Sequence, residues 1–444
     1  MRRHLARTLW ATAFIGVLLA PLLLGLGAAN HSPLLLSRFS IGTGLLATSV
    51  LVCAVVLPSR LRSLTHTFGI ERVLAMHRYV GLLVLVLVLV HIAFVVAEDP
   101  ANIALFDIDE APDRARAATG ATVALCWLIG LAVLRKQLRH RYEVWRWVHL
   151  TLAGSVLVLA ALHIWMLDHL VRDPAMRALF LGLALVVLSV LAYRWVWRPV
   201  FGAQGEYLVR EIRPESDNVS TLVLEPRRDR RRQGYRSLEF AAGQFAWLRL
   251  QPSIRAQEHP FTVASSAHLG VWTEFTIRHT GDFTDDLRRL RPGHPVWLDG
   301  PHGAFTVDLQ RTTGVVLIAA GVGITPMMSM LRTLAHRRDP RPHRLIVVAR
   351  SSEDLLFRAE LDQLKEHLDL TVVELLRRPP QGWTGATGAV DEALLTSLLP
   401  GPFRRNQLDY FLCGPPAMVT DVLVVLDAMG VPHSRIHTEQ FDLV

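Results

Sequence analysis

Four histidines stand inside long apolar runs, in two matched pairs. His77 and His91 lie fourteen positions apart within MHRYVGLLVLVLVLVHIAF, and His149 and His163 repeat the interval within WVHLTLAGSVLVLAALHIW. Fourteen residues are nearly four turns of α-helix, so each pair falls on one face, about 21 Å apart at 1.5 Å per residue. On neighbouring helices running the same way, His77 would face His149 and His91 would face His163. Each level then offers two imidazoles to one haem iron. A lone histidine in such a run packs in a core or bonds a neighbouring helix, and chains of them relay protons. Two matched pairs on parallel helices favour haem ligation over either.

Such faces need helices that cross a bilayer. Residues 9–29, 41–58, 73–97, 117–134, 148–170 and 176–197 are apolar enough and long enough for six spans. The first run imitates a signal peptide, but its length exceeds a typical apolar core of one and more runs follow, so it reads as an uncleaved span. Arginines crowd before span one, between spans two and three, and between spans four and five, whereas EDPANIALFDIDEAPDRAR is acidic. That asymmetry predicts both termini in the cytoplasm and a multi-pass protein of the inner or plasma membrane. The net charge of +8 is dispersed, with no aromatic-interleaved basic patch, which argues against nucleic acid. RRDRRRQGYR reads as a solvated loop, or as a contact for anionic lipid headgroups. Three cysteines, Cys53, Cys126 and Cys413, are too few for a disulfide framework or a four-thiolate zinc or iron–sulfur site.

After Arg198 the composition becomes that of a soluble protein. EYLVREI, STLVLEP, GQFAWLRL, EFTIRHTG and HPVWLDG alternate as short strands of a small antiparallel barrel. From Thr312 strands alternate with helices, predicting a parallel sheet flanked by helices. The expected architecture is a six-helix transmembrane bundle (1–200), an antiparallel β-barrel (205–308) and an α/β domain (312–444). In GVGITP, Gly321 and Gly323 let backbone approach a pyrophosphate and Pro326 suits a first helical turn. The motif is not GxGxxG, so no standard Rossmann fingerprint is claimed.

HPFTVASS (His259–Ser266) resembles the flavin signature of the ferric reductase and NADPH oxidase superfamily, and IRHTGDFTDDL (Ile277–Leu287) resembles its second flavin segment. The resemblance implies an FAD site along His259, Pro260, Phe261 and Thr262. Phe261 would pack on the flavin, and Thr262 would offer its hydroxyl near ring N5. Arg278 and the turn through Gly281 and Thr284 would hold the pyrophosphate. GPHGAF, with Gly300 and Gly303, resembles the segment bridging flavin and nicotinamide. GVGITP, with Gly321, Gly323, Thr325 and Pro326, resembles the nucleotide loop. CGPP, with Cys413, Gly414 and Pro415, resembles the segment whose cysteine sits by the nicotinamide. In EQFDLV, Phe441 is where members often place an aromatic facing the flavin. Thr262, Cys413 and Phe441 are thus the residues expected beside the reacting rings. Arg350, Ser351 and Ser352 follow the second strand, where an NADPH 2′-phosphate is met, so NADPH is favoured over NADH.

The resemblance covers nearly the whole chain. It implies a flavocytochrome b oxidoreductase taking electrons from cytoplasmic NAD(P)H through FAD and two b-type haems. The acceptor on the outer face would be a ferric or cupric chelate, or O2 reduced to superoxide. Superoxide-producing members are expected to carry a histidine one turn beyond the outer ligand of span three; Val95 stands there, with Arg38 near the outer end of span two. An electron relay feeding a periplasmic partner protein is the alternative, and a sensor or structural protein with degenerate motifs a third.

Overall fold

The computed structural model describes residues 2–28, 35–138, 142–197, 206–229, 234–235, 237–251, 256–268, 270, 272–310 and 312–439. The chain divides into two units, Met1–Arg198 and Pro199–Val444.

The first unit is built from six long helices: α1 (Arg2–Ala28), α2 (Leu35–Val56), α4 (Ile70–Glu98), α5 (Asp113–Val133), α7 (Tyr142–Trp165) and α9 (Pro174–Ala192). Short helices α3 (Arg62–Phe68), α6 (Arg135–Leu138) and α8 (Asp168–Val171) lie in the connections. Among the described residues, these six are long and apolar enough to cross a bilayer. Their ends differ from the apolar runs for local reasons. α7 starts at Tyr142 rather than 148, and its first turns make cation–π contacts. Arg135 lies 4.5 Å from the Trp145 ring centroid, and Arg146 lies 5.6 Å from that of Trp195. It stops at Trp165 rather than 170, where Leu167 leaves helical geometry before α8. Asp173 caps α9 by accepting from the amides of Ala175 and Met176. α9 ends in a π-turn, Tyr193–Trp197.

In the second unit an antiparallel sheet has the order β6-β5-β8-β1-β2-β7. Its strands are β1 (Glu206–Ser216), β2 (Val219–Pro226), β5 (Phe245–Arg249), β6 (His259–Thr262), β7 (Thr273–Arg278) and β8 (Pro295–His302); β3 (Arg228–Asp229) and β4 (Gly234–Tyr235) form a separate ribbon. A bridge between Val263 and Phe275 joins the two outermost strands and closes the barrel. Its interior holds Tyr207, Leu222, Leu224, Leu248, Phe275 and Leu298 among others. One short helix, α10 (Asp282–Arg288), follows β7. The parallel sheet has the order β12-β11-β10-β9-β13-β14, formed by β9 (Val315–Ala320), β10 (His343–Ala349), β11 (Leu370–Leu376), β12 (Ala386–Thr387), β13 (Asp409–Cys413) and β14 (Ile436–Glu439). Helices α11 (Ile324–His336), α12 (Arg358–Lys365), α13 (Glu392–Leu398), α14 (Pro402–Arg405) and α15 (Pro416–Ala428) accompany it. Buried clusters on both of its faces explain why these strands read as unbroken apolar runs.

Candidate functional site

The membrane unit brings the four histidines together in two levels. The rings of His77 and His149 stand 6.3 Å apart, centroid to centroid, at 68°. A metal bound about 2 Å from a nitrogen of each of two imidazoles requires centroids roughly 6 Å apart. His91 and His163 lie within electrostatic range of each other. α4 packs closely on α2, and α7 on α5; α4 and α7 approach each other through side chains rather than backbone.

Three of the four rings are oriented by backbone. Nδ1 of His77 donates to Ala54 O (2.9 Å), of His91 to Ser40 O (2.8 Å), and of His163 to Arg114 O (2.8 Å). A carbonyl can only accept, so the proton sits on Nδ1 and the Nε2 lone pair remains for a metal. Nδ1 of His149 is buried without a hydrogen-bond partner, and its ring stacks on Trp145 at 5.0 Å. Between the levels, Val84 and Val156 lie seven residues from each histidine of their own helix. Both are buried in one cluster with Val50, Ala124 and Leu125. This donor set, two imidazoles per level with the tautomer fixed at three, fits haem iron.

In the barrel, β6 presents His259–Thr262 beside β5, with Phe261 opposite Ala246 and Thr262 opposite Phe245. The two flavin-like segments meet at Phe283 of α10. Its ring stacks with Phe261 at 6.2 Å and 11°, and meets His259 at 4.2 Å. Thr262 Oγ1 and Arg278 Nε are both buried without a hydrogen-bond partner. Such groups cost free energy unless a ligand satisfies them, which fits an FAD ring and pyrophosphate. Thr284 belongs to the turn itself. Its hydroxyl accepts from the amides of Thr280 and Gly281 and donates to Gly281 O, so it shapes the turn. His279 locks the same turn, through Ser220 Oγ (2.8 Å) and Thr284 O (2.8 Å). Sequence reasoning singled out neither Phe283 nor His279, because both look like ordinary residues of a strand–turn–helix.

The nucleotide motifs converge at the carboxyl ends of the parallel strands. Order along the sheet reverses between β9 and β13, the kind of switch point where α/β sheets bind ligands. Gly323 follows β9 and Gly414 follows β13. A Cβ on Gly323 would stand 2.3 Å from Cys413 O, and one on Gly414 would stand 3.1 Å from the Ala320 Cβ. GVGITP and CGPP therefore touch through backbone that admits no side chain. Gly321 has φ +55°, and a Cβ there would lie 3.0 Å from Arg278 Nη2, so the barrel arginine meets the nucleotide loop. Thr325 donates to Val322 O (2.8 Å) and Pro326 is buried in the first turn of α11. Gly300 lies against Ala246, and Gly303 O accepts from Gln244 Nε2 (2.9 Å). Cys413 is fully buried and Pro415 occupies the N-cap position of α15. Arg350 is exposed at the end of β10, and the Ser351 hydroxyl lies 3.4 Å from carboxylate oxygens of Glu353 and Asp354. Phe441 lies outside the described residues.

A polar stripe on α11 fastens the two parts of this unit. Ser329 donates to Ser265 O (2.9 Å), Thr333 Oγ1 accepts from Ala267 N (2.9 Å), and His336 Nδ1 lies 3.1 Å from Ser266 Oγ. Arg332 donates to Ala264 O (2.8 Å), to Glu274 (3.0 Å) and, bidentately, to Glu360 (2.6 and 2.7 Å). Burial opposes its charge, but Glu360 and Glu274 outweigh that and hold the guanidinium pKa above its ordinary value.

Three protein families match consecutive segments: "Ferric reductase like transmembrane component" over 43–160, "FAD-binding domain" over 218–304 and "Oxidoreductase NAD-binding domain" over 317–423. The fold and these matches define a multi-pass membrane oxidoreductase with FAD- and NAD-binding parts. More particularly, the chain has the architecture of the ferric reductase/NADPH oxidase superfamily. It is 34% identical over 160 residues to NADH-cytochrome b5 reductase 1 of Pyricularia oryzae, covering 35% of this chain and 51% of that protein. It is 28% identical over 253 residues to the reductase component of propane 2-monooxygenase of Mycolicibacterium goodii, covering 55% and 68%. The chain spans about half the length of the first of these relatives. The FAD/NAD-binding domain of a nitric oxide dioxygenase from Vibrio cholerae superposes with a TM-score of 0.47 at 24% identity, over 54% of this chain and 98% of that one.

Proposed function

We propose that this chain carries electrons from cytoplasmic NADPH through FAD and two haems b to an acceptor on the outer face of the inner or plasma membrane. The observation that supports the reading most is the pair of imidazole levels, with Nδ1 fixed by carbonyls at three of four rings. Bound FAD takes electrons in pairs as hydride and yields them singly, and bound haem carries one at a time. The residues supply position. Phe261 would pack on the isoalloxazine, Thr262 would offer its hydroxyl toward it, Arg278 would hold the pyrophosphate, and His259 and Pro260 shape the strand. Gly300 and Gly303 keep the bridging segment close to β5, and the Gly281–Thr284 turn sets the start of α10. Gly321, Gly323, Thr325, Pro326, Gly414 and Pro415 would form the nicotinamide crevice, with Cys413 beneath it, and the resemblance gives Phe441 the role of the aromatic that faces the flavin. Arg350 and Ser351 would receive the 2′-phosphate, whereas the carboxylates of Glu353 and Asp354 beside Ser351 favour NADH as the second reading. His77 with His149 would hold the inner iron and His91 with His163 the outer. The aliphatic layer around Val84 and Val156 keeps water from the path between them.

The outer acceptor is a small ferric or other metal chelate, or O2. A relay to a periplasmic protein is the alternative. Purified protein is expected to hold two haems per flavin. His91→Ala and His163→Ala are each expected to lose the outer haem and transmembrane transfer, while NADPH still reduces the flavin. Two six-coordinate haems surviving in either variant, by optical and EPR spectroscopy, would overturn the ligand assignment.

A further inference from the structure

Helix α2 supplies the acceptors for both histidines of α4, and it does so unequally. Ala54 O takes Nδ1 of His77, and Ser40 O takes Nδ1 of His91. The two acceptors are fourteen residues apart, like the histidines, because α2 and α4 pack closely in opposite directions. In a continuing α-helix each carbonyl receives the amide four residues on. For Ala54 that residue is Pro58, which has no N–H. α2 accordingly stops at Val56, and Leu57–Ser59 form a 3-10 turn. The Ala54 carbonyl thus belongs to the last turn, where helix carbonyls lack backbone partners and carry partial negative charge. The Ser40 carbonyl lies early in α2 and also accepts from the Thr43 hydroxyl at 2.9 Å.

We infer that Pro58 is a positioning residue for the inner haem, acting through Ala54 and His77. By withholding an amide, it leaves the carbonyl to the imidazole, which fixes the Nδ1–H tautomer, aims Nε2 and makes the ring a stronger base toward iron. Gly44 serves the outer level sterically. A Cβ there would stand 3.1 Å from Cε1 and Nδ1 of His91, so the ring seats against bare helix backbone. The inference rests on the bis-haem reading.

The test uses full-length protein in detergent. Pro58→Ala restores an amide able to compete for Ala54 O. Both haems are expected to remain, with the inner haem's midpoint potential moving positive and its low-field EPR feature shifting, while the outer signal stays put. The His91→Ala protein, retaining only the inner level, identifies which signal is which. Pro58→Ser restores the same amide and must shift the same signal in the same direction. Gly44→Ala must move only the outer signal. Unmoved inner signals in both Pro58 variants, or equal loss of both haems in both, would overturn the inference. Wild-type protein without haem would instead sink the bis-haem reading on which it rests.

Discussion

His343 shows how far a single buried side chain can tie stability to pH. It lies at the start of β10, paired with Val315 and Leu370, and is 1% exposed. Both ring nitrogens are buried without a hydrogen-bond partner, and Nε2 is 3.6 Å from Asp339 Oδ1, too far for a good bond. Burial pushes its pKa down to about 4; the Asp339 and Asp369 charges pull the other way, and Arg341 adds to the depression. The unfolded chain therefore binds a proton here at a higher pH than the folded chain does. Stability contributed by the neutral ring is complete above pH 6.5 and is lost as pH falls toward 4, by about 3 kcal/mol in all. His343→Leu is expected to flatten the thermal-shift slope across that window. An unchanged slope would assign the acid sensitivity to other groups. This end of the sheet is remote from the carboxyl-end crevice, so flavin reduction at pH 7.5 should survive the substitution. At this scale the sequence was a partial guide. Thr262 and Arg278 were visible in motifs, and each has a buried polar atom awaiting a partner. Phe283 and His279 were not, because stacking and turn-locking depend on neighbours distant in sequence.

At the scale of elements, α11 couples the nicotinamide crevice to the flavin strand. Ser329, Arg332, Thr333 and His336 recur at helical spacing; the first three grip the backbone of Ala264–Ala267, the continuation of β6, and His336 meets the Ser266 hydroxyl. Arg332 is the strongest member. Removing it leaves Glu274 and Glu360 without their shared cation. Loss of one partner of a buried pair costs 3–5 kcal/mol, and the partly exposed Glu360 points to the low end, roughly 3 kcal/mol. Arg332→Ala is expected to lower the melting temperature and slow flavin reduction by NADPH in stopped flow, leaving haem spectra unchanged. Arg332→Lys should recover part of the stability and less of the rate, because an ammonium cannot bridge three acceptors in a fork geometry. Unaltered hydride transfer in Arg332→Ala would reduce the stripe to packing. The six spans, the barrel and the parallel sheet were legible from hydropathy and period. The α11 stripe was not, since a polar stripe within an apolar helix does not name its partner. Nor was the strand order that brings GVGITP against CGPP, because pairing between β9 and β13 spans about ninety residues of chain. The span ends shifted by up to seven residues, at the start of α1, and α7 begins six residues before its apolar run, in a stretch where tryptophan–arginine contacts lie.

For the whole molecule the open chemistry is at the outer end of the proposed path. One turn beyond His91 stands Val95, whose carbonyl accepts from Asn102 Nδ2 at 2.9 Å. Phe39 and Phe94 stack beside it at 5.5 Å, and Ser37 donates to Glu98 where α2 begins and α4 ends. Reducing O2 to superoxide creates an anion that a placed donor would stabilise, and an aliphatic side chain supplies none. A metal chelate needs no such donor, since one electron passes to it without proton transfer or a bound oxyanion. Sealed vesicles given NADPH on the cytoplasmic side are therefore expected to reduce an external ferric chelate at a rate that superoxide dismutase leaves largely unchanged. Val95→His should raise the dismutase-sensitive share of cytochrome c reduction while leaving haem content intact. Cytochrome c reduction abolished by dismutase in the unaltered protein would make O2 the acceptor. Slow turnover with every small acceptor, beside normal haem reduction by NADPH, would instead favour a periplasmic protein as the electron's destination.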